Sequence, residues 1–332
     1  MTCGIGPLVS QLTSRGRMQS AFVFAKPHAN TPAVQQLIKK KFGEVGVKIQ
    51  SEGEITGEAI NSEGYIDQHY YAIASKATIL KPSALNIPTD KFSAAFGEEW
   101  SKVLKEGRAY NAMDVQGALG LSPEALDKAW LAAKSAGKLI KFGGGFYCAL
   151  IDASKKVYTF NAFFMSMRGK FTQPGSSIHW YVVEFDSAKL SWADFRGKVL
   201  GPTEPSAAPA DSLRGMIFSD WQALGLTSVP NTGDNGVHAS ASPFEGLAER
   251  MNWLKTPLEA DRFGALLLSK GTWAPPPVAR TARLSWLVAR ARACALALLG
   301  QDGGQREDGG QQWEPPRGHA SRLLATSSAA RC

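Results

Sequence analysis

The chain has 332 residues, 44% of them hydrophobic, with a formal net charge of +8, which is length and apolar content for one large domain or two ordinary ones. The excess charge sits at the ends: residues 270–332 hold nine Lys/Arg against four Asp/Glu, residues 1–17 add Arg15 and Arg17, and the body is close to neutral, so nucleic acid is not an expected partner. Cys3, Cys148, Cys294 and Cys332 show neither metal-ligand spacing nor a disulfide framework, and no apolar run is long enough to span a bilayer, so a reducing, cytoplasmic setting away from membranes is expected.

Residues 1–18 carry no acid and read as a disordered leader. Ala21-Phe22-Val23-Phe24-Ala25 is an apolar run of strand length that stops at Lys26-Pro27, because proline cannot donate to a sheet ladder. Lys26 then stands at a strand end, where an isolated lysine is ordinarily a solvated charge. Thr31-Pro32 is a cap followed by a first-turn proline, and Val34, Leu37, Ile38 and Phe42 repeat at helical spacing. Val47-Lys48-Ile49-Gln50 alternates as a strand. Asn61 or Ser62 is expected to cap a further helix in which Ile66, Tyr70 and Ile73 share a face, and by spacing alone Tyr70 is a core aromatic.

From residue 79 to 160 the pattern changes. Phe92, Ala95, Phe96, Trp100 and Leu104 fall on one helical stripe, and Ser122-Pro123-Glu124 opens a helix carrying Leu126, Trp130, Leu131 and Ala133. Leu139–Phe142, three glycines and Phe146–Leu150 read as a hairpin, with a second pairing across Asp152–Lys156. Helices followed by a hairpin suggest a winged-helix-like module. Its basic signal is only Lys134, Lys138 and Lys141, so a lid or subunit contact is expected over nucleic-acid binding.

Phe163-Phe164 opens a short amphipathic helix, Ile178–Phe185 is a central strand, and Ser191 caps a helix leading to Arg196, Lys198 and Gly201-Pro202-Thr203-Glu204-Pro205. Ser212-Leu213-Arg214-Gly215 follows. In Asn235-Gly236-Val237-His238-Ala239-Ser240 an imidazole sits among small residues, with room for a bulky group to reach a ring nitrogen. Glu249, on a helix beginning near Pro243, can turn back to hold the other nitrogen. A satisfied strand-end histidine and a nucleophile both fit that pattern. Residues 255–332, broken by proline and glycine runs, are expected to form a disordered tail, with at most a short helix over 284–299.

The run Asn235-x-x-His238-Ala239-Ser240 resembles the active-site signature of nucleoside diphosphate kinases, Asn-x-x-His-(Gly/Ala)-Ser-Asp, with Ala241 in the last position. Lys26-Pro27, His69-Tyr70, Phe163-Phe164, Gly201-x-Thr203-x-Pro205 and Leu213-Arg214-Gly215 resemble further family motifs, although His28-Ala29 replaces the Asp-Gly that usually follows Lys-Pro. The resemblance spans residues 20–78 and 161–254, and it makes 79–160 an insertion after the second helix. It implies, over residues 19–254, an α+β fold: a ferredoxin-like sandwich with a four-stranded antiparallel sheet, an arrangement that the order of strands and helices also fits. It further implies ping-pong transfer of the γ-phosphate of a nucleoside triphosphate to a nucleoside diphosphate through phosphohistidine. ATP and nucleoside diphosphates are then the partners, and Mg2+ arrives on their phosphates rather than in a protein metal site. By the same resemblance His238 is the nucleophile, with Glu249, Ser240 and Asn235 around it. Lys26, Arg214 and either Arg196 or Lys198 meet phosphate, and Tyr70 and Thr203 donate hydrogen bonds. Phe163 or Phe164 stacks on the base or packs in the core. A homo-oligomer is compatible with this reading. The insertion, Ala241 and the displaced arginine motivate an alternative, a weak or inactive kinase-like domain serving as a nucleotide-binding or protein-interaction scaffold.

Overall fold

The computed structural model describes residues 18–143 and 145–270; the leader, the tail beyond residue 270 and the helix expected over 284–299 lie outside the described residues, and the described start of the expected tail carries a helix, Arg262–Ser269, capped by Asp261. No helix among the described residues is long and apolar enough to cross a membrane. The strands in chain order are β1 (Met18–Ala25), β2 (Lys48–Thr56), β3 (Ala109–Asn111), β4 (Leu139–Gly143), β5 (Phe146–Asp152), β6 (Lys156–Phe160), β7 (Ser177–Asp186) and β8 (Val237–Ala239). They form two four-stranded sheets in a mixed α+β chain, ordered β2-β7-β1-β8 and β3-β6-β5-β4. The chain divides into two compact units, one running up to Tyr71 and resuming at Ser166, the other from Ala72 to Met165.

In the first unit every strand pair is antiparallel. β1 and β2 therefore run the same way with β7 between them, a split β-α-β arrangement compatible with the ferredoxin-like sandwich. β1 is apolar almost throughout because both of its faces are covered. Ala21, Val23 and Ala25 join Val34, Ile38 and Phe42 in one core, whereas Phe22 and Phe24 join Ile60, Ile66, Phe171, Ile178 and Trp253 in another. The helix Pro32–Glu44 starts as its sequence dictates, with Thr31 Oγ1 accepting the Val34 N–H at 3.2 Å. The helix expected over Ile66–Ile73 is interrupted. Gly64, at φ 63°, separates Gly57–Ser62 from Tyr65–His69, and Tyr70 leaves helical geometry at ψ 34°.

The second unit has its own core of Phe92, Trp100, Tyr158, Phe160 and their neighbours. The stripe from Phe92 to Leu104 is carried by two helices, Thr89–Phe96 and Trp100–Lys105, because Gly97 takes a left-handed conformation at φ 68° and ends the first. The β4–β5 hairpin and the β5–β6 pair run as their alternation predicts. β3, three residues long and without a distinct sequence signal, adds in parallel to β6.

Candidate active site

Register places the histidine on the edge strand of the sheet: His238 on β8 is the cross-strand partner of Phe24 on β1. Their rings stack with centroids 4.7 Å apart. The chain then turns at Ala241. Ser242 caps the helix Pro243–Trp253 by accepting the Glu245 N–H at 3.2 Å, and Glu249 is carried on its buried side. One Glu249 oxygen accepts the Ser240 hydroxyl at 2.5 Å, and the other lies 2.6 Å from His238 Nε2. Ser240 is itself fixed to β1, its Oγ accepting the Phe22 N–H at 2.8 Å. A carboxylate only accepts, so His238 carries its proton on Nε2 and its lone pair on Nδ1. Among the described residues Nδ1 has no hydrogen-bond partner.

His69 closes the other side of the ring, edge-on at 4.6 Å. Its Nδ1 accepts the Trp253 indole N–H at 3.3 Å and lies 3.6 Å from Glu249. His69, His238 and Glu249 offer ligand-type atoms all within 4.8 Å of one another. The Trp253 donor and the His238–Glu249 hydrogen bond already engage those atoms.

Three cations surround this centre. Lys26 follows β1 directly and is 8% exposed; its Nζ donates to Gly233 O at 3.0 Å. Burial and the neighbouring Arg214 lower its pKa to about 8, against the attraction of Asp234. Arg214, on the helix Leu213–Ser219, is 4% exposed and donates to the carbonyls of Gly201 and Val237, each at 2.9 Å. Burial and then Arg196 lower its pKa to about 10. Arg196 donates to the carbonyl of Ala239, beside the histidine. Lys198 is exposed and pairs with Asp194 at 2.7 Å, away from these groups. Burial, reinforced by Arg196, Lys26 and Arg214 and opposed by Glu245, lowers the His238 pKa to about 3. At neutral pH the ring is uncharged.

Asn235 is buried, with Nδ2 donating to Thr203 O at 3.0 Å and Oδ1 lacking a partner among the described residues. Thr203 itself is exposed on its loop. Tyr70 stands edge-on to His69 at 4.6 Å and is near enough to Arg214 to raise that residue's pKa. The first unit thus gathers Lys26, Tyr70, Arg196, Arg214, Asn235, Ser240 and Glu249 around His238, and does not gather Lys198. Phe163 and Phe164 belong to the second unit, where Phe164 is fully buried and Phe163 packs against Trp130 and Tyr147. Sequence reasoning did not single out Trp253 or give His69 and His28 roles of their own. The His69-Tyr70 pair was the available signal for the former, and the substitution after Lys26-Pro27 for the latter.

No protein-family model matches the chain, and no curated protein matches it. Among solved structures it is similar to a nucleoside diphosphate kinase from Pyrobaculum aerophilum at 19% identity and TM-score 0.35, over 71% of this chain and 95% of that one. It is also similar to the enzyme from Encephalitozoon cuniculi at 14% identity and TM-score 0.34, over 71% of this chain and 88% of that one. A third is the Aquifex aeolicus enzyme, at 12% identity and TM-score 0.32, over 71% and 94% respectively.

Proposed function

We propose that the chain is a nucleoside diphosphate kinase-like phosphotransferase working through phosphohistidine at His238. One observation carries this reading: a neutral imidazole, held at Nε2 by Glu249 2.6 Å away, lies among two buried cations, Lys26 and Arg214, and the half-buried Arg196, none of which has a carboxylate ion pair among the described residues. A neutral ring is nucleophilic at pH 7, and buried cations with no carboxylate in ion-pair contact suit an anionic ligand.

The Nδ1 lone pair attacks the γ-phosphorus of a magnesium nucleoside triphosphate. The N–P bond forms as the bond to the bridging oxygen breaks, and that electron pair leaves with the diphosphate. The ring becomes positive, and Glu249 stabilises it while keeping Nε2–H in place. Ser240 fixes the second oxygen of the same carboxylate. Lys26, Arg196 and Arg214 offset charge on a phosphoryl group that is nearly free in the transition state. Asn235 offers its unpartnered oxygen to a donor on the nucleotide. A second diphosphate then takes the phosphoryl group from nitrogen by the reverse sequence. Magnesium enters and leaves on the nucleotide.

The test is incubation with γ-labelled ATP and magnesium. An acid-labile, base-stable label is expected, because phosphoramidates hydrolyse in acid, and added diphosphate should discharge it as triphosphate. His238→Gln should remove the label. A label that survives His238→Gln, or none at all while ATP still binds, overturns the reading in favour of a nucleotide-binding scaffold.

A further inference from the structure

Gly236 precedes His238 by two residues and adjoins Asn235. Its peptide groups are tied to the segment that follows β1. Lys26 N–H donates to Gly236 O at 2.9 Å, and Gly236 N–H donates to His28 Nε2 at 3.1 Å. Lys26 Nζ reaches the same turn through Gly233 O at 3.0 Å. The turn itself needs glycine: Gly236 has φ 84°, and a Cβ there would meet Ile217 at 3.0 Å. Gly236 is buried, so its N–H must find an acceptor within the protein, and the one it finds is a side chain.

Accepting that N–H fixes the His28 tautomer. Nε2 holds the lone pair, and the proton is on Nδ1, which lies 3.8 Å from Asp234. Asp234 is in turn held by Lys170 at 2.6 Å. The charged groups acting on His28 are therefore Asp234, Lys26 and Lys170. Burial and the two lysines outweigh Asp234 and lower the ring's pKa to about 4, so the acceptor is present at neutral pH.

We propose that His28 is a positioning residue for phosphoryl transfer: by accepting the Gly236 N–H it fixes the turn that carries Asn235 and His238 against Lys26. This rests on the phosphotransferase reading above. The imidazole acts through the backbone on nucleophile and cation together, in a chain where His-Ala stands in place of the Asp-Gly that usually follows Lys-Pro.

Three full-length proteins decide it: wild type, His28→Gln and His28→Leu. Glutamine can present an oxygen near the position of Nε2, whereas leucine has similar volume and no acceptor. Single-turnover labelling with MgATP, MgADP affinity, and hydrogen exchange at the Gly236 amide are measured at pH 7. His28→Leu is expected to slow labelling by about tenfold to a hundredfold, since small misplacements of reacting groups have effects of that order, with little change in MgADP affinity. Its Gly236 amide should exchange at least about tenfold faster, as a lost hydrogen bond predicts. His28→Gln should recover most of both. Wild-type labelling and protection in His28→Leu overturn the proposal, as does a glutamine variant no better than leucine. If the leucine variant does not fold, His28→Asn, too short to reach Gly236, takes its place. If the wild type accepts no label, the phosphotransfer reading falls and takes the positioning role with it, while Gly236 exchange still decides whether His28 holds the turn.

Discussion

The two units differ in how deeply they place charge. In the unit from Ala72 to Met165 no charged side chain among the described residues is fully buried, and the ion pairs lie toward the surface: Lys81, 67% exposed, meets Asp114 at 2.5 Å, Arg108 engages Glu98 and Glu106, and Lys138 and Lys156 share Asp152. In the other unit Lys26 and Arg214 are buried, and their hydrogen bonds go to backbone carbonyls. Carbonyls satisfy geometry without neutralising charge, so the second arrangement costs stability where the first costs little. On the phosphotransferase reading, the contrast is one between charge kept for solubility and charge kept for a ligand.

The sharpest way to break the comparison is to remove a buried cation. Lys26→Met should slow phosphoenzyme formation by about a hundredfold to a thousandfold, a loss of the order seen when one transition-state electrostatic contact is removed. In thermal unfolding the same variant should be no less stable than wild type, and by about 1–3 kcal/mol more stable, because a buried charge is replaced by an apolar chain of similar length. Lys81→Met, in the other unit, should change neither measurement appreciably. A Lys26→Met protein that is clearly destabilised would mean that the lysine is structural, and the contrast would fail.

Much of the first unit was legible because its signals are local. The proline after Lys26 ends β1, Thr31 caps the helix Pro32–Glu44, and Ser242 with Pro243 starts the helix that carries Glu249. What was not legible depends on turns and register. The pairing of Glu249 with His238 was expected, but its closeness, 2.6 Å across eleven residues, depends on the reversal at Ala241. His69 lies far back in the sequence, and its contact with Trp253 depends on the break after Tyr65–His69. Arg196 and Lys198 are two residues apart and equally plausible as text; the turn Phe195–Leu200 separates their surroundings. The brief β3 has no periodicity to read, since three residues cannot display one.

The same comparison sharpens with pH. Lys26 loses its proton as pH rises through about 8, so kcat/KM for transfer should fall above that value, by up to about tenfold per unit. Bound phosphate favours the charged form, so kcat should hold its plateau to higher pH. A kcat/KM profile flat to pH 10 would show that Lys26 does not meet the substrate. On the acid side, folded His238 and His28 titrate near 3 and near 4, against 6.5 for the ordinary imidazole. Between those values the unfolded chain binds more protons than the folded one, so stability is full above pH 6.5 and is lost as pH falls toward 4. Each histidine should cost up to about 1.4 kcal/mol per pH unit in that window. Chemical denaturation of wild type against the double variant His28→Gln/His238→Gln, from pH 7 to pH 4.5, checks this; parallel curves would mean that the rings are not buried neutral.

The smallest expected effect separates two neighbours within one turn. Lys198 is exposed and paired with Asp194 one helical turn away, an arrangement that solvent screening leaves nearly neutral for stability. Lys198→Ala should therefore leave transfer within about twofold of wild type and unfolding nearly unchanged. Arg196 donates to the carbonyl of Ala239, next to the nucleophile, and its charge reaches both Arg214 and His238. Arg196→Ala should slow labelling by about tenfold or more, as removal of a cation beside a developing phosphoryl charge predicts. It should also let the His238 pKa rise, since one of the three cations that hold it down is gone; NMR titration of the ring reads that directly. An equal, small effect of the two substitutions on labelling would place both side chains outside the reaction. The contrast between buried and surface charge would then rest on Lys26 and Arg214 alone.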